Sequence, residues 1–490
     1  MALSPEFDKI QSTKQLSFLV ANGVECKLPL GEEEAKEIIS IDVSTYLTSV
    51  ESYNREVKYT GRAIFTVIYK QEGEIKKHET GVEYGYKASV ESALEGMNVF
   101  GDVKAENVKL NVSNGIVTAT CIIVFNGDLV SPYQIEYLVK EPELMLKNTE
   151  LNYCTEVVRV KKETKIEDEY DMPILIKNVL SHQEKAYVTN CQSGIGVIIV
   201  DGELEVSSVI LPVDTNKPIS ASKIIPFRVE IDCQDALPEM PCSSYVSVKA
   251  TNIKVYVDEN KCKSAVSVET TIEAFGLLFQ NNSISLVDDV YSKNFEIKTY
   301  KENKVLYNTI GFRCIEEKLN SEIFFENTKN SRLICVLNDK IEDVSYKNNN
   351  GSIEVSGVLL LTCLFEDEKL YSVTSSVPFT FNVLTSGNKF NLIKVQAVNV
   401  KASLTNVEYT IRLSFLEVNE VEVPIICKVE EGAKKKVNDS AISVYIPKNG
   451  DTMWDVCKAL GVNEDVVLKT NKDLEFPLSG DERIVIYRER

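Results

Sequence analysis

The chain has 490 residues, with 54 Lys and Arg against 73 Asp and Glu, for a formal charge of −19. At roughly 100–200 residues per domain that length predicts three or four domains, and 44% apolar with 26% charged residues is the balance of a folded chain, not a disordered one. The excess of negative charge argues against duplex DNA or an anionic lipid surface as the main partner, and two histidines, His78 and His182, leave little room for histidine-dependent catalysis or metal chemistry.

At the N-terminus, Met1-Ala2-Leu3-Ser4-Pro5 has neither a basic segment nor a continuous apolar one, so no signal peptide is expected. The longest apolar stretch, around 358–365, falls far short of the ~20 residues of a membrane span, so no membrane insertion is expected. Twelve cysteines include no CxxC pair, and several lie in strand-like apolar runs such as Thr120-Cys121-Ile122-Ile123 and Leu361-Thr362-Cys363-Leu364. A buried thiol acts there as a small hydrophobe, which predicts a reduced, cytosolic protein.

One unit recurs three times. Val103-Lys104-Ala105-Glu106-Asn107-Val108-Lys109 returns as Val248-Lys249-Ala250-Thr251-Asn252-Ile253-Lys254 and as Val395-Gln396-Ala397-Val398-Asn399-Val400-Lys401. Asn107, Asn252 and Asn399 are thus 145 and 147 residues apart. Upstream of each, Gly61, Gly202 and Gly357 precede the apolar runs 63–69, 204–211 and 359–365. Two landmarks in the same order three times indicate tandem duplication. The glycines are read as bulges or tight strand corners and the asparagines as satisfying a backbone group, not as ligand sites.

Each unit reads as β-rich. In the first, Val108, Leu110 and Val112 alternate with polar residues, and Ser113-Asn114-Gly115 leads into 117–125 as a hairpin would. The second has a longer polar loop, Asp258-Glu259-Asn260-Lys261, at this place. In the third, Tyr409, Ile411, Leu413 and Phe415 share one face. The predicted class is mainly β: three tandem β-sandwich-like repeats, with short helices at 33–39 and 316–324. The repeats are placed at 1–145, 146–295 and 296–429. The charged run at 430–440 has no apolar period and reads as a solvated linker across which few contacts pass.

The remaining module, 441–490, reads as β-α-α-β. A strand at 442–446 precedes a helix capped by Asp451 or Thr452 and ended by Gly461. Asn463 caps a second helix that ends near Asn471, and a strand at 483–487 closes the unit. Gly450-Asp451-Thr452-Met453-Trp454, Gly461-Val462, Leu468, Asn471, Pro477, Gly480 and Ile484-Val485-Ile486 resemble a LysM domain. The resemblance implies a shallow groove between the loop before the first helix and the loop after the second, where LysM domains usually bind N-acetylglucosamine polymers. Where that family often has Gly-Gln before the last strand, this chain has Gly480-Asp481-Glu482.

Three β-rich repeats ahead of one LysM-like module resemble the SipL-like family of SPOCS-domain proteins from spore-forming clostridia. That resemblance implies a non-enzymatic spore-coat morphogenetic scaffold in the mother-cell cytoplasm, placed at the forespore surface. Its implied partner is the SpoIVA-like coat ATPase, with other coat proteins or further copies of the chain after it, and no nucleic acid. The implied partner-binding residues are Ile442, Asp451, Thr452, Met453, Trp454 and Phe476 of the module. Trp454, the one tryptophan in the sequence, is expected to be part core and part surface, with Ile442 and Met453 extending an apolar patch.

Residue chemistry points the same way. The sequence contains no GxxxxGK[ST], HExxH or GxSxG. Acidic runs such as Glu167-Asp168-Glu169 and Glu32-Glu33-Glu34 read as solvated faces, and the cysteines lack zinc-ligand spacing. No enzymatic activity, cofactor or metal is expected. The alternative is a cell-wall-associated glycan binder that uses the LysM groove.

Overall fold

A computed structural model describes residues 3–28, 37–113, 116–215, 217–258, 260, 262–328, 330–349, 351–436, 440–472 and 474–487. The first unit comprises β1 (Glu6–Leu28), β2 (Glu37–Tyr53), β3 (Glu56–Gln71), β4 (Glu74–Ser89), β5 (Asn98–Ser113) and β6 (Ile116–Lys140). Its antiparallel strands run β1-β6-β5 in one sheet and β2-β3-β4 in the other.

The same plan recurs twice. The second unit has β7 (Met145–Met172), β8 (Ile176–Ser193), β9 (Val197–Pro212), β10 (Ile219–Asp232), β11 (Cys242–Asp258) and β12 (Lys263–Tyr291), paired as β7-β12-β11 and β8-β9-β10. The third has β13 (Phe295–Glu322), β14 (Arg332–Asn349), β15 (Ser352–Glu366), β16 (Leu370–Leu384), β17 (Lys389–Ala402) and β18 (Asn406–Lys434), paired as β13-β18-β17 and β14-β15-β16. Where Tyr307 meets Cys154, the larger sheets of the second and third units join into one of six strands.

In each unit the two sheets enclose an apolar core. Val57, Tyr59, Ala63, Phe65 and Val67 of β3 point into the first core, opposite Ile123 and Phe125 of β6. Gly61 holds the one inward position of that odd-numbered series without a side chain. A Cβ there would lie 2.3 Å from the hydroxyl of Tyr84, its cross-strand partner. Gly202 faces Phe227 and Gly357 faces Phe379, at 2.3 and 2.6 Å from the ring by the same construction. An aromatic ring therefore lies across each glycine. On its other side each glycine borders a bulge, at Leu47/Ser49, Val188/Asn190 and Glu342/Ser345.

The repeated asparagines have a different cause from the expected one. Asn107 and Asn399 sit at bulges with φ of 51° and 54°, the left-handed backbone that Asn tolerates better than most residues. In β11 the bulge falls earlier, at Val248/Ala250, and Asn252 keeps ordinary strand backbone.

The units are not beads on a string. Ile39, Ile68 and Ile75 of the first unit pack with Leu180, Val209 and Leu211 of the second and Cys335, Leu364 and Leu370 of the third. A second three-way cluster joins Ile10 and Ile135, Leu286, and Leu306 and Ile425. Equivalent strands from all three units also line a cavity of about 290 Å3. Lys185 pairs there with Asp339 and donates to the Ala397 carbonyl at 2.7 Å. Lys340 pairs with Asp42 at 2.9 Å, and the Tyr46 hydroxyl donates to Glu184 at 3.4 Å. Lys394 donates to the Val246 carbonyl at 2.7 Å and lies over the Tyr245 ring. Burial draws the Lys394 ammonium below the usual lysine range, with Asp102 opposing the shift.

Three sequence expectations need correction. Residues 316–322 belong to β13 and 37–39 to β2, so neither predicted helix forms there; 33–36 lie outside the described residues. Ile315, Leu319 and Ile323 are four apart, an even spacing that shares a strand face as readily as a helix face. The polar run at 430–440 begins as strand, since β18 continues to Lys434 and the Lys435 N–H donates to the Asn294 carbonyl. Asn114, Gly115, Glu259, Lys261 and 437–439 lie outside the described residues, although Ser113 and Ile116 do pair as a hairpin requires.

The glycine–aromatic contact is testable. Gly202→Ala should cost about 1–3 kcal/mol through the clash with Phe227. Gly23→Ala, where a Cβ meets nothing within 4 Å, should stay within about 0.5 kcal/mol. Denaturant unfolding checks both, and equal stability of the two variants would remove the packing account.

Candidate functional site on the C-terminal module

The C-terminal unit has β19 (Ile442–Tyr445), α1 (Met453–Leu460), α2 (Glu464–Thr470) and β20 (Ile484–Tyr487), with β19 and β20 antiparallel. Thr452, not Asp451, caps α1. The Asp455 N–H donates to Thr452 Oγ1 at 3.4 Å, and Asp455 Oδ2 accepts the Thr452 N–H at 2.9 Å. Asp451 instead accepts from the Tyr445 hydroxyl and the Lys448 N–H, both at 2.8 Å. Gly461 ends α1 with φ 65°. Asn463 stands at the α2 N-cap position without a side-chain cap bond. Asn471 ties α2 to β20, donating to the Val467 and Val485 carbonyls and accepting the Val485 N–H.

The acidic Gly480-Asp481-Glu482 segment has a local structural use. The Glu482 carboxylate accepts the Ser479 and Gly480 N–H groups, each at 2.9 Å. Those backbone donors, Ser479 first, hold its carboxyl down at about 2. The two loops beside the implied groove are also laced together. The Gly450 N–H donates to the Leu478 carbonyl at 2.8 Å, and the Leu478 N–H to the Asp451 carbonyl at 2.9 Å.

Trp454 faces the repeats. Its indole N–H donates to Asp289 of β12 at 2.8 Å, and its ring meets Tyr291 edge-on, 4.9 Å between centroids. Lys458, one turn later on α1, reaches the same carboxylate at 2.6 Å, and the Tyr291 hydroxyl donates to the Val462 carbonyl at 2.7 Å. Burial alone would raise the Asp289 carboxyl, but Lys458 and the indole N–H outweigh it and hold it below the usual range. Met453 and Phe476 pack in the module core with Val456, Cys457 and Val467, and Tyr291 joins that cluster. The module is therefore docked, against the expectation that few contacts cross to it.

The predicted site thus divides. Asp451 and Thr452 shape the loop and cap, while Met453, Trp454 and Phe476 serve the core and the docking seam. Ile442 faces outward, 53% exposed, away from them. Its companions went unnoticed in the sequence: Val444 at 57%, Ile446 at 65% and Tyr487 at 59%, with Ile442 opposite Tyr487 and Val444 opposite Val485 across the two strands. The period-two spacing of Ile442, Val444 and Ile446 was the available signal.

Among the described residues no group of three or more His, Cys, Asp and Glu is placed to hold a metal ion, and no helix is long and apolar enough to cross a membrane. His78 meets the Thr80 hydroxyl at 2.9 Å. His182 meets Glu184 at 2.5 Å. Burial acts to lower the His182 imidazole and Glu184 more than offsets it, leaving it raised.

Residues 34–113 match the protein-family model described as SipL, SPOCS domain. The match falls within the first unit and reaches the end of β5, so that unit is similar to the SPOCS domain of this model. Neither the curated proteins nor the solved structures gave a match.

Asp289→Ala should release the module at a cost of about 1 kcal/mol, because the pair it breaks is partly exposed. Trp454, the chain's one tryptophan, reports this as a red shift of fluorescence with loss of the edge-on contact. In the unaltered chain the contribution of Asp289 is present above the unfolded carboxyl pKa of ~3.9 and is lost as pH falls through the lowered folded value. An unchanged spectrum in the variant would exclude the docking contact.

Proposed function

We propose that the chain is a non-enzymatic spore-coat scaffold whose three units are all SPOCS-type and whose C-terminal module is LysM-like. It acts in the mother-cell cytoplasm at the forespore surface and recruits a SpoIVA-like coat ATPase through the module. The observation that carries this reading is the SPOCS match at 34–113, inside a unit whose strand order is repeated twice more. The outward face of Ile442, Val444, Ile446 and Tyr487 supplies the contact surface, since an exposed apolar strip rimmed by polar residues is a common interface form. Trp454 acts as a positioning residue that holds the module against β12.

The glycan-binding alternative is less well supported. The backbone groups of Gly450, Asp451 and Leu478 that would line the groove are used in bonding its two walls to each other.

Co-purification with the coat ATPase and sedimentation with peptidoglycan distinguish the two readings. Ile442→Glu should weaken ATPase binding about 30-fold, the equivalent of about 2 kcal/mol at an interface hot spot, with the unfolding midpoint unchanged. Full ATPase affinity in that variant would move the interface to the repeats. Peptidoglycan binding by the unaltered chain, without ATPase binding, would establish the alternative.

A further inference from the structure

Cys191 on β8 and Cys242 on β11 lie in the two different sheets of the second unit, and their sulfurs are 3.4 Å apart. The first unit fills this place with an apolar pair. Cys191 pairs across its sheet with Val200, two residues before Gly202; Val50 pairs with Tyr59, two residues before Gly61. Cys242 comes two residues after Met240, whose sulfur accepts the Leu237 N–H; Val99 comes two residues after Met97, whose sulfur accepts the Leu94 N–H. Val50 and Val99 are both packed against the first core. An apolar pair at this end of the first sandwich is thus replaced in the second by two thiols in contact.

We propose that Cys191 and Cys242 are a redox modification site, at which oxidation forms a disulfide that staples the two sheets of the second unit. The surroundings already hold the sulfurs together. The Ser193 hydroxyl donates to the Met240 carbonyl at 2.9 Å, the Gly196 N–H to the Ala236 carbonyl at 2.9 Å, and the Cys233 N–H to the Gly196 carbonyl at 2.9 Å. These bonds fix the β8–β9 turn against the segment leading into β11. Closing the gap to a disulfide of about 2.05 Å needs a sulfur movement of little more than an ångström, within reach of side-chain torsions.

The oxidant is a small peroxide, which enters past the half-buried Cys191 to reach the buried Cys242 beside it. The Cys191 S–H donates to Cys242 Sγ, which lowers the Cys242 thiol and places the first thiolate there. That thiolate attacks one peroxide oxygen, the O–O bond breaks, and hydroxide leaves to be protonated by solvent. The Cys191 thiol then attacks the resulting sulfenic sulfur, the S–O bond breaks, and water leaves as the S–S bond forms. Two thiols have given up two electrons and hydrogen peroxide has become two waters. The site does not depend on the coat-scaffold reading.

The test uses the full chain, treated with hydrogen peroxide in native buffer, then unfolded in iodoacetamide and digested for mass spectrometry. The expected product is a linked peptide joining Cys191 to Cys242, about 2 Da lighter than the two thiol peptides together and reversed by dithiothreitol. It should persist in Cys262→Ser, which removes an exposed thiol, and disappear in Cys191→Val and Cys242→Val, which install the first unit's residues. The oxidised chain should also melt at a higher temperature than the reduced one. Alkylation of both cysteines after peroxide, sulfinic acid without a link, or links chiefly to other cysteines would overturn the proposal. The measurement on the unaltered chain decides it even if a variant folds poorly.

Discussion

The structure depends on burial at two levels. Each six-strand unit closes its own sandwich, and the outer faces of its strands then need a second cover. Strand β3 shows both demands in adjacent residues: Val67 points into the first unit's core, while Ile68 points out into the cluster shared by all three units. The same doubling occurs in β15, where Phe365 packs inward and Leu364 outward. Strands covered on both faces become continuous apolar runs instead of alternating ones. A unit taken alone would expose Ile68, Leu211 or Leu364 to water, so the units stabilise one another by the same transfer free energy that forms their cores.

Between the shared apolar clusters the interior is charged, and this fixes how the units fit. Lys185 against Asp339 links the second unit to the third, Lys340 against Asp42 the third to the first, and Tyr46 against Glu184 the first to the second. The three contacts use neighbouring positions on equivalent strands: two are Lys–Asp pairs and the third is a Tyr–Glu hydrogen bond, with the donor on a different unit in each. Replacing a buried ion pair such as Lys185–Asp339 with apolar residues can leave stability unchanged, which suits such a pair better to selecting an arrangement than to adding stability. Apolar surfaces alone would tolerate rotation or exchange among three similar units. Polar contacts that each place the donor on one unit and the acceptor on the next disfavour such slippage.

Legibility in the sequence followed the range of the interactions. The triplication was readable because Gly61, Gly202 and Gly357 answer a local demand, an inward strand position with no room for a Cβ. The rings that impose it, Tyr84, Phe227 and Phe379, lie on the next strand and could be found only by pairing the strands. The β-α-α-β order of the module was readable from its caps and turns. The helix expected at 316–324 failed because a four-residue spacing fits both periods, and the partner strand β18 decided the outcome. Docking of Trp454 was hidden for a similar reason: Asp289 and Tyr291 are 165 and 163 residues away in sequence. Nothing local marks them as a seat for an indole.

That seat changes what the module can do. A β-α-α-β unit of about 50 residues buries little of its own surface and is marginal alone. Here Tyr291 enters its core cluster, and Asp289 satisfies both the indole N–H and Lys458. The Trp454 side of α1 is thereby covered, and the β19–β20 face is left outward with Ile442, Val444 and Tyr487 in one patch. A patch on a docked module loses less rotational freedom when a partner arrives than one on a free tether, so more of its contact energy remains as affinity. Under the scaffold reading Trp454 and Ile442 then support binding by different means: Trp454 orients and stabilises the module, and Ile442 meets the partner. Loss of the first should be felt in both stability and binding, and loss of the second in binding alone.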